Sequence, residues 1–146
     1  MDLFYKREQY IWIYRTSHLF LLSSLYAFMQ QQYVFSLINS CVFVSSINYW
    51  RKPIYSWRRT LDIIVVSSTV IYKNITVYNS IAYNSITYNS FNIKLYYFIF
   101  FTGSFLYPIS IYYYNNNRYW TAVYLHMLLH IMGNLANIVL YHGVIL

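Results

Sequence analysis

Residues 119–144 read YWTAVYLHMLLHIMGNLANIVLYHGV and contain no Asp, Glu, Lys or Arg. A helix that crosses a bilayer needs about 20 consecutive, mostly apolar residues, and this run supplies them. Its polar residues are not scattered. His126, His130, Asn134, Asn137 and Tyr141 follow at offsets of 0, 4, 8, 11 and 15, and at about 100° per residue they fall within about 80° of one another. A polar stripe therefore runs along an otherwise apolar helix. Turned toward lipid, its ring nitrogens and amides would lose their partners at several kcal/mol, so it must face protein or water. The opposite Leu, Ile and Met face then meets acyl chains. Gly133, beside the stripe, is expected to admit a neighbouring helix closely.

The same length rule divides the rest of the chain. Spans are predicted over roughly 10–29, 33–50, 60–77 and 93–114, followed by the 119–144 span. The first turns at Gln30, Gln31 and Gln32, the second stops at Arg51-Lys52-Pro53, and the fourth ends at Asn115-Asn116-Asn117-Arg118. Residues 78–92 repeat a pentapeptide, YNSIA YNSIT YNSFN. A five-residue period turns each Tyr by about 140° on a helix and builds no single face. An outer loop is expected there, with a sixth span as the alternative. The predicted fold is all-α: one domain over residues 1–146, a polytopic transmembrane bundle of five spans, or six, with the amino terminus inside.

Composition agrees. Of 146 residues, 59% are hydrophobic, 23% aromatic and only 9% charged, against about 25% charged in soluble domains. That inventory cannot cover a water-soluble surface. The mean hydropathy of +0.36 is held down by Tyr and Asn, which bilayers accept at interfaces and helix contacts. The net charge of +7 does not indicate nucleic acid, because the cations sit in short clusters between apolar runs. In five spans, Lys6, Arg7, Arg15, Arg51, Lys52, Arg58, Arg59 and Arg118 lie inside, and Lys73 and Lys94 lie outside. The expected partners are the lipid bilayer, a lipid substrate and other membrane subunits. Cys41 stands alone, so no internal disulfide forms. No Gly-rich phosphate loop, nucleophile elbow or CxxC pair is present.

Candidate chemistry centres on His126 and His130. One helical turn apart, they have the spacing with which two imidazoles ligate one metal ion, or with which both bond across a helix contact. Ser46, near the end of the second span, and Asp62, the acid that opens the third, lie in the inner half of the membrane. His126 sits about 10 Å in at 1.5 Å per residue, so these groups can converge. Asp62 also suits a helix amino terminus flanked by Arg58 and Arg59. The succession Ser46-Ile47-Asn48-Tyr49-Trp50, Asp62 and His126-Met127-Leu128-Leu129-His130 resembles the CREST superfamily of seven-span membrane hydrolases, which includes the alkaline ceramidases and progestin/adipoQ receptors.

That resemblance implies a zinc held by three histidines, with a zinc-bound water attacking a lipid amide or related carbonyl. His126 and His130 would be metal ligands, and Asp62 and Ser46 would be catalytic groups that orient the water or move its proton. The chain departs from the pattern at Trp50, which occupies the first histidine's position and has no lone pair to give a metal. His18 and Cys41, at depths near His126 and His130, are the conceivable replacement ligands. Two functions are weighed equally: a reduced zinc-dependent lipid amide or ester hydrolase, and a non-catalytic structural or assembly subunit of an organelle or virus-associated membrane complex. A channel, supported by the stripe alone, ranks third.

Overall fold

In the computed structural model, which describes residues 5–83 and 87–145, every long apolar run is helical. The helices are α1 (Arg7–Ser17), α2 (Leu19–Met29), α3 (Tyr33–Trp50), α4 (Trp57–Tyr83), α5 (Ser90–Asn115) and α6 (Tyr119–His142). Between and after them, β1 (Thr87–Tyr88) pairs antiparallel with β2 (Val144–Ile145). The all-α expectation holds. Three stretches are long and apolar enough to cross a membrane: Trp57–Asn79, Ser90–Asn115 and Tyr119–His142. The 18-residue α3 carries Ser36, Ser40, Ser45, Ser46, Asn39 and Asn48 and falls short of that standard.

Several boundaries differ from the sequence expectation for local reasons. The first apolar run is two helices that meet at His18. The hydroxyls of Thr16 and Ser17 both donate to the carbonyl of Ile13, each at 3.0 Å. Such back-bonding competes with the backbone ladder and bends helices. The third run continues past residue 77 to Tyr83, and α5 begins at Ser90, where the Asn89 side chain accepts from Phe91 N at 2.9 Å and caps the first turn. The 78–92 repeat is thus divided among the end of α4, β1 and the start of α5, while residues 84–86 lie outside the described residues. Among the described residues, no helix lies wholly within the repeat.

α5 and α6 are joined by a short turn through Asn116 and Asn117, the latter at φ 59°, and pack along their length as an antiparallel pair. Asn tolerates this left-handed backbone better than most residues. α2 packs on α3, α1 contacts α3 and α6, and α4 lies along α3 with its backbone standing off from α5 and α6, which it reaches through the side chains of Lys73 and Val77. The buried core has two parts. One gathers Tyr5, Ile13, Tyr49, Trp50, Ala122 and Val123; the other gathers Ala27, Phe35, Val77, Tyr96, Ala136, Leu140 and Tyr141. Outside them, side chains such as Met29 and Phe98 are 76% and 68% exposed. Exposed apolar surface on this scale suits hydrocarbon rather than water.

Gly133 does not mediate a close helix approach, because a Cβ added there would meet nothing within 4 Å. The close approach is at Gly103, where a Cβ would lie 3.0 Å from Met132 Cβ, and at Gly143, where it would lie 2.6 Å from Asn92 Cβ. Opposite effects follow for the same change. Gly143→Ala is expected to destabilise the protein by about 1–3 kcal/mol through overpacking, whereas Gly133→Ala is expected to stabilise it by up to about 1 kcal/mol through helix propensity. Unfolding of each variant in micelles checks both signs.

Candidate functional site

The polar stripe of α6 faces protein as its periodicity requires. His130, Asn134, Asn137 and Tyr141 are buried, and Leu128, Ile131 and Leu135 on the other side are exposed. In front of the stripe, where α4 stands off from α5 and α6, lies a cavity of about 500 Å³. Ser46, Asp62, His126 and His130 all line it. The four residues singled out from sequence are therefore brought to one space.

Each is held by identifiable partners. Asp62 Oδ1 accepts from Ser46 Oγ at 2.7 Å and from Ser45 Oγ at 2.8 Å, so the last turns of α3 clamp the carboxylate that opens α4. Ser45 was not foreseen, because only the rotation of α3 against α4 turns two adjacent serines to one oxygen. Ser46→Ala is expected to lower stability by about 1.5–3 kcal/mol, the contribution of a hydrogen bond to a charged group. Denaturant titration in micelles measures that loss.

The ring of His126 lies edge-on to His130, with centroids 5.0 Å apart, and edge-on to Trp50 at 4.9 Å. His130 also meets the ring of Phe20 at 5.2 Å. Its Nδ1 is 3.2 Å from Thr16 Oγ1, whose own proton goes to Ile13. With the Thr16 proton given to Ile13 O, its oxygen is left to accept from an Nδ1–H of His130.

The donor set does not fit a zinc ion held by three protein ligands. Trp50 sits against His126 and offers an N–H but no lone pair. The conceived Cys/His/His set is not assembled: Cys41 is exposed and borders a separate groove with Ser40, Val44 and Leu61. His18 Nδ1 lies 3.0 Å from Tyr14 O, and its ring packs against Tyr14 and Phe43. Similar depth did not bring these side chains together because the rotation of α1 and α3 turns them away. Among the described residues, no three His, Cys, Asp or Glu side chains gather as a metal-holding group.

Lys73 also requires a correction. Read from sequence as an outer cation, it lies within the apolar stretch Trp57–Asn79 and is 4% exposed. Its Nζ donates to Asn39 Oδ1 at 2.6 Å and Asn137 Oδ1 at 2.7 Å, and sits 5.7 Å from the centroid of the Tyr141 ring. Asn39 Nδ2 in turn donates to Tyr141 OH at 2.6 Å. This cluster ties α4 to α3 and α6 and lines the cavity through Lys73, Asn39 and Asn137. The signal was available, since residue 73 falls inside the predicted 60–77 span and a lysine inside a span is functional by default, but the charge count assigned it to the outer side. Asn134 plays a smaller part than its place in the stripe suggested: it donates to His130 O of its own helix at 2.8 Å, and its Oδ1 has no partner among the described residues.

No family model, curated protein or solved structure matches the chain. The likeness to the membrane hydrolases rests on the motif residues alone.

Proposed function

We propose that the chain is a multi-pass integral membrane protein whose cavity binds a lipid-like amphiphile, and that its hydrolase-like residues form a binding cleft without metal-dependent chemistry. Five crossings with the amino terminus inside account best for the charges. With Lys73 buried in the bundle, eight cations lie inside and Lys94 remains as the outer one, which sharpens the asymmetry of the positive-inside rule. α1 and α2 together make the first crossing. α3, at 18 residues, is about 27 Å long, close to the hydrocarbon thickness of about 30 Å.

The observation that carries the binding reading is the cavity itself. Val66, Val70, Phe100 and Leu129 form apolar walls, while Asp62 with Ser46 and Lys73 with Asn39 supply polar groups at separate places. Its volume of about 500 Å³ falls in the range of about 300–1,000 Å³ that holds drug-sized ligands. Trp50 in place of a third imidazole argues for holding a ligand rather than cleaving it.

Gly133 lines the cavity with open space before it, so Gly133→Trp should fill the cleft from within. Native mass spectrometry of the purified proteins is expected to show one retained lipid on the wild type and none on this variant. Equal retention contradicts the binding reading. Turnover of an N-acyl or ester lipid by the wild type contradicts its non-catalytic half and returns the hydrolase reading.

A further inference from the structure

Lys73 leaves an electrostatic account open inside the cleft. An ammonium carries three N–H donors; two are used by Asn39 and Asn137, and the Tyr141 ring lies 5.7 Å from Nζ. Both acceptors are neutral amides, so the hydrogen bonds orient the cation without neutralising it. The chain has three acids, Asp2, Glu8 and Asp62. Asp62 is engaged by Ser45 and Ser46 and precedes Lys73 by eleven residues of α4, about 16 Å along the axis. Among the described residues, no carboxylate contacts the Lys73 ammonium. An ionised group in hydrocarbon without a counter-charge is costly, and such groups pair or mark a ligand path.

Placement supplies the rest. Lys73 lies six residues inside the end of the apolar stretch at Asn79, about 9 Å along the axis, where a headgroup can be reached from the boundary. From Lys73 toward Asp62, the α4 wall of the cavity is formed by Ile71, Val70, Thr69, Ser67, Val66 and Ile63, mostly apolar over the length of an alkyl chain.

We propose that Lys73 anchors the headgroup of a single-chain anionic amphiphile, a carboxylate or phosphate on one alkyl chain, with that chain lying along the apolar walls of the cleft. This names the ligand class for the binding reading above and rests on it. Asn39 and Asn137 are positioning residues that hold the ammonium toward the cavity, and Tyr141 supports Asn39 through its hydroxyl.

The test uses the full chain in phosphatidylcholine nanodiscs and three radiolabelled probes: dodecyl phosphate, laurate and uncharged dodecanol. The wild type is expected to bind at least one anion at least about tenfold more tightly than dodecanol, the ratio one charge-assisted hydrogen bond supplies. Whichever anion is preferred identifies phosphate or carboxylate as the headgroup. Lys73→Met is expected to lose the preference, its affinities for the two anions falling to its own affinity for dodecanol. Equal affinity of the wild type for all three probes overturns the inference without recourse to any variant, as does a preference that survives in Lys73→Met. Saturable binding without charge discrimination leaves the cleft reading standing, whereas absence of saturable binding for every probe removes both.

Discussion

Asn39→Leu is expected to destabilise the protein by about 3–4 kcal/mol, because it removes an acceptor from a buried ammonium and a donor from a buried phenol in one step. For a chain of this length that corresponds to a fall in Tm on the order of 10 °C. The two bonds are short, 2.6 Å to Lys73 and 2.6 Å to Tyr141 OH, and Asn39 is 1% exposed, so water cannot take its place. The cause is the stranded charge rather than lost volume. Adding Lys73→Met to Asn39→Leu is therefore expected to recover most of the loss, since no ammonium is then left with one acceptor. Thermal unfolding of the single and double variants in one detergent gives the coupling directly. Additive losses would show that Asn39 and Lys73 act separately.

Trp50→His is expected to create a three-histidine zinc site. Trp50 is 5% exposed and packs against Tyr5, Tyr49 and His126, so the smaller ring costs on the order of 2–4 kcal/mol in metal-free protein. It also puts a third imidazole beside His126 and His130, enough for a tetrahedral site that keeps one position for water. Zinc at about 1,000 times its Kd would return about 4 kcal/mol. The expected pattern is a lower Tm than wild type without zinc, a strong rise when zinc is added, and no comparable rise in the wild type. A wild type that gains as much from zinc as the variant would show that its two histidines find further ligands, and would restore metal chemistry to the cleft.

What could be read from the sequence was governed by periodicity within single helices. The α6 stripe was legible because its offsets fix which residues share a face, and one buried face follows from the cost of unpaired polar groups in lipid. Convergence of Ser46, Asp62, His126 and His130 was legible from depth, which the rise per residue sets once the ends of each helix are known. Rotation about the axes was not. Depth alone placed His18 and Cys41 beside the histidines, and the structure turns both elsewhere. For the same reason Ser45 was missed as a partner of Asp62.

Helix ends failed where side chains decide them. The break at His18 comes from two hydroxyls competing for one carbonyl, and the continuation of α4 to Tyr83 comes despite a Tyr/Asn-rich sequence that reads as a loop. Counting Lys73 among the outer cations, although it falls inside the predicted 60–77 span, hid the polar cluster that ties α4 to α6. Gly133 was misread because small residues serve both close helix contact and open space, and only the neighbouring atoms distinguish the two.

Photolabelling with a diazirine-bearing fatty alcohol is the most direct test of whether the space between α4 and α6 takes up a lipid-like chain. The wild-type protein in nanodiscs would be irradiated, digested and sequenced by mass spectrometry. The expected result is saturable labelling of Val66, Phe100 and Leu129, which line the cleft, reduced by excess unlabelled alcohol and abolished in Gly133→Trp. Labelling confined to outward residues such as Leu22, Phe98 and Phe105, with no competition by excess alcohol, would contradict the account.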